Sequence, residues 1–157
     1  DILITGAITP WYENFCLSYG AIPTTVDYNE ILCESKKIKT ITIKEQLMSD
    51  KRYDCVLSIS SFEHDGLGAY GDPIAPDGDL RAMRDVLGVI KPDGHFFFNV
   101  PCGEDHICFN RHRQYGSIRM PMMLNGWDIS KTYGVTMNTI DDAPSNPVFV
   151  LRPAVAS

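Results

Sequence analysis

Two stretches of this sequence hold side chains that could move protons. One is Glu63-His64-Asp65, and the other is Asp105-His106 together with His112. A free imidazole titrates near pH ~6.5, so His64 and His112 are the natural bases for taking a proton from a hydroxyl acceptor. The alternative is that Glu63 and His64 order a long loop or touch a bound cofactor. Asp72, Asp77 and Asp79 lie in the same region and add hard oxygen ligands of the kind divalent cations favour. Their spacing does not match a calcium-binding loop, and Asp-Gly and Asp-Pro pairs are common turn formers and helix caps, so no metal site is assigned. Arg111-His112-Arg113 could hold an anionic substrate group, or it could be a solvated loop.

Gly6 and Asp27 form a second constellation. Gly6 ends an apolar run, where a glycine lets a ligand approach the backbone, and Asp27 follows about 20 positions later. A carboxylate at that spacing can accept hydrogen bonds from both hydroxyls of a ribose. The loop Gly6-Ala7-Ile8-Thr9-Pro10 carries a single glycine, so a tight turn explains Gly6 equally well.

The surrounding pattern supplies elements to position these groups. Ile2-Thr5 reads as a buried strand. Thr9-Pro10 then opens a helix whose apolar residues are Tyr12, Phe15, Cys16 and Tyr19, with Gly20 as its stop. Strands are expected at Pro23-Val26, Ile38-Ile43, Asp54-Ile59 and Phe96-Val100, while 31–37 is too mixed to assign. Between the last two strands run a long loop, Ser60-Gly78, and a helix with the stripe Leu80, Met83, Leu87 and Ile90. Asp77 or Asp79 should cap that helix, and Lys91-Pro92-Asp93-Gly94 should end it. A helix over Gln114-Leu124 and strands at Trp127-Tyr133 and Val148-Leu151 complete the pattern. Strands alternating with helices predict an α/β fold with a mostly parallel sheet, and ligands in such sheets bind beyond the carboxyl ends of the strands. That rule selects Gly6-Trp11, Asp27, Ser60-Gly71 and Pro101-Tyr115.

Composition bounds what such a fold can do. The chain has 157 residues, 44% hydrophobic and 22% charged, which suits one domain with its own core. A net charge of -6 argues against a nucleic-acid surface. No apolar run approaches the roughly 18 residues of a membrane-spanning helix. Five scattered cysteines without a Cys-x-x-Cys pair favour neither zinc nor a disulfide framework, and a cytoplasmic location is expected. Cys16 and Cys55 read as small core residues.

Several segments together resemble one superfamily. The run from Asp79 to Pro101, with its Lys91-Pro92-Asp93-Gly94 turn, is similar to the helix, turn and fifth strand of class I S-adenosylmethionine-dependent methyltransferases. Ser61-Phe62-Glu63-His64 resembles their Leu-Glu-His segment after strand four. His112-Arg113-Gln114-Tyr115 and Gly126-Trp127-Asp128 resemble segments before their sixth strand. Thr9-Pro10-Trp11-Tyr12-Glu13, Asp27-Tyr28-Asn29-Glu30 and Phe62 to Pro73 are more narrowly similar to an uncharacterised domain-of-unknown-function family beside those enzymes. The resemblance implies a Rossmann-like three-layer sandwich with an antiparallel strand near the C-terminus. It also implies S-adenosylmethionine as cofactor, held near Gly6, Asp27, Tyr28, Ser61, Phe62 and Glu63, and a small-molecule substrate with a sugar-like or other hydroxyl. After strand three only Glu45 is available to meet an adenine amine. Residues 1–157 are expected to be one methyltransferase-like domain without the helices that usually precede strand one. The competing expectation is a binding or scaffold domain that has lost the cofactor.

Overall fold

The computed structural model describes residues 1–7, 9–143 and 146–155, so Ile8 of the first loop lies outside it. Strands β1 (Ile2–Thr5), β2 (Pro23–Asp27), β3 (Lys39–Thr42), β4 (Tyr53–Ile59), β5 (Ile90–Asn99), β8 (Trp127–Tyr133) and β9 (Val148–Pro153) form one seven-stranded sheet. Its order is β3-β2-β1-β4-β5-β9-β8. The pairs from β3 across to β5 are parallel, and β9 runs antiparallel to both of its neighbours. A small antiparallel hairpin, β6 (His106–Cys108) with β7 (His112–Gln114), stands apart from the sheet.

Helix α1 (Trp11–Ser18) covers one face through Cys16, which packs with Ile2, Ile4 and Ala7. Helices α3 (Gly78–Val89) and α4 (Arg119–Met123) cover the other face. There Met83, Val86, Met120 and Met123 join Leu3, Val56, Phe96, Phe98, Phe149 and Leu151. Because β1 is buried on both sides, it reads as an unbroken apolar run. The aromatic centre, Phe96, Phe98, Phe149 and Trp127, is buried, and each such ring contributes roughly 1.5–3 kcal/mol.

The sequence expectations for β1, β2, β4 and β8 hold closely. Others change. Lys91-Pro92-Asp93-Gly94 does not end a helix in a turn: α3 stops at Val89, and β5 begins at Ile90 beside Tyr53. Gln114 belongs to β7, and the expected helix shrinks to Arg119–Met123, in keeping with Gly116 and Pro121. Neither acid caps α3 with its side chain. Asp77 pairs with Arg81 at 3.2 Å, while Asp79 turns into the core. A short helix α2 (Ile43–Leu47), which sequence reading missed, follows β3 and starts on a Thr42–Glu45 capping box.

Candidate functional site

The chain leaves β1 toward β2 and β3, then returns to place β4 and β5 on the other side of β1. The carboxyl ends of β1 and β4 therefore flank the reversal in strand order, where open α/β sheets bind ligands. Gly6, Asp27 and Ser60–His64 all emerge there. Gly6 has φ +66, and an added Cβ would lie 2.9 Å from Ser61 Cβ. Ser61 thus occupies the close approach that a glycine permits.

Asp27 ends β2 half-buried. Its Oδ1 accepts the Asn29 amide at 2.9 Å, while Oδ2 has no hydrogen-bond partner among the described residues. Tyr28 and Trp11 stand exposed beside the crevice. Phe62 goes elsewhere: its ring packs 6.1 Å from both Phe96 and Phe98 and belongs to the core. Glu45 is also engaged, since its carboxylate accepts the Thr42 amide at 2.6 Å and the Thr42 hydroxyl at 2.8 Å. The amide and hydroxyl of Thr42 together hold the Glu45 carboxyl below its ordinary range.

Ser60 has φ +50, an uncommon conformation for a side-chain-bearing residue, fixed by its amide donating to Asn99 O at 3.0 Å. The chain then turns through Phe62–His64, which buries Glu63. The Ser60 hydroxyl donates to Glu63 Oε1, while Oε2 is buried without a partner. Burial pushes the Glu63 carboxyl upward, against the pull of the Ser60 hydroxyl. His64 is held at Nδ1 by the Arg111 carbonyl, and its Nε2 lies 3.7 Å from Glu63 Oε1. Its ring also stands edge-on to Tyr70 at 5.3 Å.

Hairpin β6–β7 packs beside this turn and carries His112. His112 is half-buried, with its ring 6.2 Å from that of His106. Desolvation, then Arg111, His64 and His106, push the His112 imidazole below its usual value, so it is neutral at pH ~7 and able to accept a proton. A rim of contacts links this end to Asp27. Asn29 Nδ2 donates to Tyr70 O at 3.3 Å, Tyr70 touches His64, and His64 meets Arg111 next to His112.

The basic run Arg111-His112-Arg113 splits by burial, with Arg111 exposed in the turn before β7 and Arg113 interior. Arg113 is fully buried and donates to Asp65 O at 2.6 Å and to Ala75 O and Pro76 O at 3.5 Å. It also faces Asp79 at 3.6 Å, and Asp79 receives Arg119 at 2.6 Å and the Tyr115 hydroxyl at 2.9 Å. The hydrogen bond to Asp79 raises the Arg119 guanidinium further, while burial and Asp79 keep the Tyr115 phenol protonated. Sequence reading missed this network, because a buried arginine between two polar neighbours looks like any loop arginine. The acids once weighed as cation ligands have such local tasks too. Asp72 accepts the amides of Gly66, Gly68 and Tyr70. Although burial opposes its charge, those amides hold the Asp72 carboxyl low. Asp65 is pushed up to about 8, first by burial and then by Asp72 and Asp79.

The sheet order and the single reversed strand define a Rossmann-like fold of the S-adenosylmethionine-dependent methyltransferase type. Within that class, the chain belongs to the family described as Caenorhabditis protein of unknown function, DUF268, whose model matches residues 1–146. No curated protein matches it. Among solved structures it is similar to the 1,6-didemethyltoxoflavin-N1-methyltransferase of Burkholderia thailandensis, with a TM-score of 0.71 and 16% identity over 98% of this chain and 71% of that one. A methyltransferase from Archaeoglobus fulgidus gives 0.68 and 15% identity over 96% of this chain and 85% of that one. A mitomycin 7-O-methyltransferase gives 0.69 and 10% identity over 98% of this chain and 48% of its own. At these identities the likeness establishes the fold.

Proposed function

We propose that this chain binds S-adenosylmethionine in the crevice between β1 and β4 and methylates a hydroxyl group of a small molecule. The rim from Asp27 through Asn29, Tyr70 and His64 to His112 carries this reading, because it joins a ribose-binding carboxylate to a neutral imidazole. The residues present suit the cofactor. Asp27 keeps an unpartnered oxygen for ribose hydroxyls, Tyr28 and Trp11 leave the crevice mouth unfilled, and Ser61 and Glu63 border it. When bound, S-adenosylmethionine supplies a sulfonium-linked methyl that a hydroxyl oxygen can attack, releasing a neutral thioether. His112 is the base that takes the hydroxyl proton. His64 positions it, since its Nδ1 contact with the Arg111 carbonyl ties the hairpin to the β4 loop. Asp27→Ala should weaken S-adenosylhomocysteine binding at least about tenfold in calorimetry while leaving the fold intact, and unchanged affinity would refute its role.

A second reading, a scaffold that has lost the cofactor, is favoured by Ser61 closing over Gly6. The two readings part on Ser61→Gly. Catalytic ancestry without binding predicts that cofactor affinity appears only in that variant.

A further inference from the structure

The β6–β7 hairpin presents an unusual set of side chains on one face. Its register pairs His106 with Gln114 and Cys108 with His112, so these four share a face while Arg113 points inward. The rings of His106 and His112 lie 6.2 Å apart, Arg111 is exposed at the turn into β7, and His64 abuts the Arg111 carbonyl. His106 and His112 therefore share one face, His64 lies against the adjoining backbone, and the Arg111 charge is near enough to act on His112. Among the described residues no carboxylate pairs with Arg111, His106 or His112. Asp105, at the foot of β6, directs its oxygens to the amides of Gly116, Ile118 and Arg119. Glu63 faces only His64, and among the described residues the Arg111 guanidinium has no carboxylate partner.

From this arrangement we infer that the lip formed by Arg111 and His106, beside His112, binds an anionic group, phosphoryl or carboxylate, carried by the hydroxyl acceptor. The inference rests on the acceptor side assigned above and names the chemical class that fits it. Arg111 supplies a planar fork suited to either anion, and the His106 imidazole adds a donor that strengthens once protonated. The charged neighbours acting on His112, namely Arg111, His64 and His106, all push its proton off. A bound anion reverses that push, which makes occupancy visible without any turnover.

The test is a proton NMR titration of the His106 and His112 ring signals in the full chain, without cofactor. The probes are glucose 1-phosphate, glucuronate and neutral glucose. Saturable binding of glucose 1-phosphate or glucuronate, with both imidazole pKa values rising by about 1 unit, supports the site. The anion that binds also separates a phosphoryl from a carboxylate acceptor. Arg111→Ala, an exposed change that leaves the fold untouched, should weaken binding at least about tenfold. His106→Gln should weaken it as well. Unmoved imidazoles, equal binding of glucose, or undiminished affinity in both variants would overturn the assignment. S-adenosylhomocysteine binding is measured separately, so losing the cofactor reading and losing the anion site are distinct results.

Discussion

His112 and His64 differ in how they are held, and the proposed roles rest on that difference. His64 is held at Nδ1 by the Arg111 carbonyl, whereas His112 is half-buried, with desolvation and positive neighbours pushing its imidazole toward the neutral form. His112→Gln should lower kcat by about 10²–10⁴-fold with little change in cofactor affinity. In the parent protein kcat/KM, which reports the base before the acceptor binds, should persist to below pH ~6.5, the ordinary imidazole value, because the base stays unprotonated there. A parent kcat/KM that falls from above that pH would contradict the assignment. Asp65 makes a different statement, about stability. Its carboxyl releases a proton near pH ~4 when unfolded and at about 8 when folded. Between these values the folded chain holds the extra proton, so stability falls as pH rises through that window. Asp65→Asn should remove this slope and gain on the order of 1 kcal/mol at pH ~8, read from urea midpoints at pH ~5 and ~8. An unchanged slope would reject the burial of Asp65 as its cause.

At the scale of elements, Arg113 joins hairpin β7 to the Ser60–Gly78 loop and, through Asp79, to helix α3. Arg113→Met should leave the Asp65 carbonyl without its donor and remove one of the two cations facing Asp79, which keeps Arg119 and Tyr115, costing about 1–3 kcal/mol. It should also expose the loop in hydrogen exchange before the sheet opens, whereas protection equal to that of the parent would show the loop to be independent of Arg113. The strands were legible in the sequence because each buried strand follows a simple rule of apolar continuity. Positions such as Asp27 and Gly6 followed from where those strands end. The hairpin was not legible, since His106–Cys108 and His112–Gln114 are too short to show alternation and the stretch looked like loop. Arg113, Asp79 and Phe62 were misread for a related reason. Their types suggest surface, cap and ligand contact, while tertiary packing decides that all three are interior. Glu45 was legible as an acid at the right place, yet the local pull of an N-cap claims its carboxylate.

For the whole molecule, sheet and helices build a platform, and the proposed site follows the contacts from Asp27 at β2 to His112 at β7. Among the described residues, no helix is long and apolar enough to cross a membrane. The three-layer frame with one reversed strand is the part shared with methyltransferases of low identity, and the family membership covers residues 1–146. A ligand that binds only the folded state adds stability by mass action, about 2.7 kcal/mol at a hundredfold excess over Kd. For a chain of this size that raises Tm by roughly 5–10 °C. The measurement closest to the central claim is calorimetric titration of the full chain with S-adenosylhomocysteine, repeated with Asp27→Ala. The account predicts a saturable one-to-one isotherm that weakens at least about tenfold in the variant. No heat and no shift in Tm at millimolar ligand would contradict it.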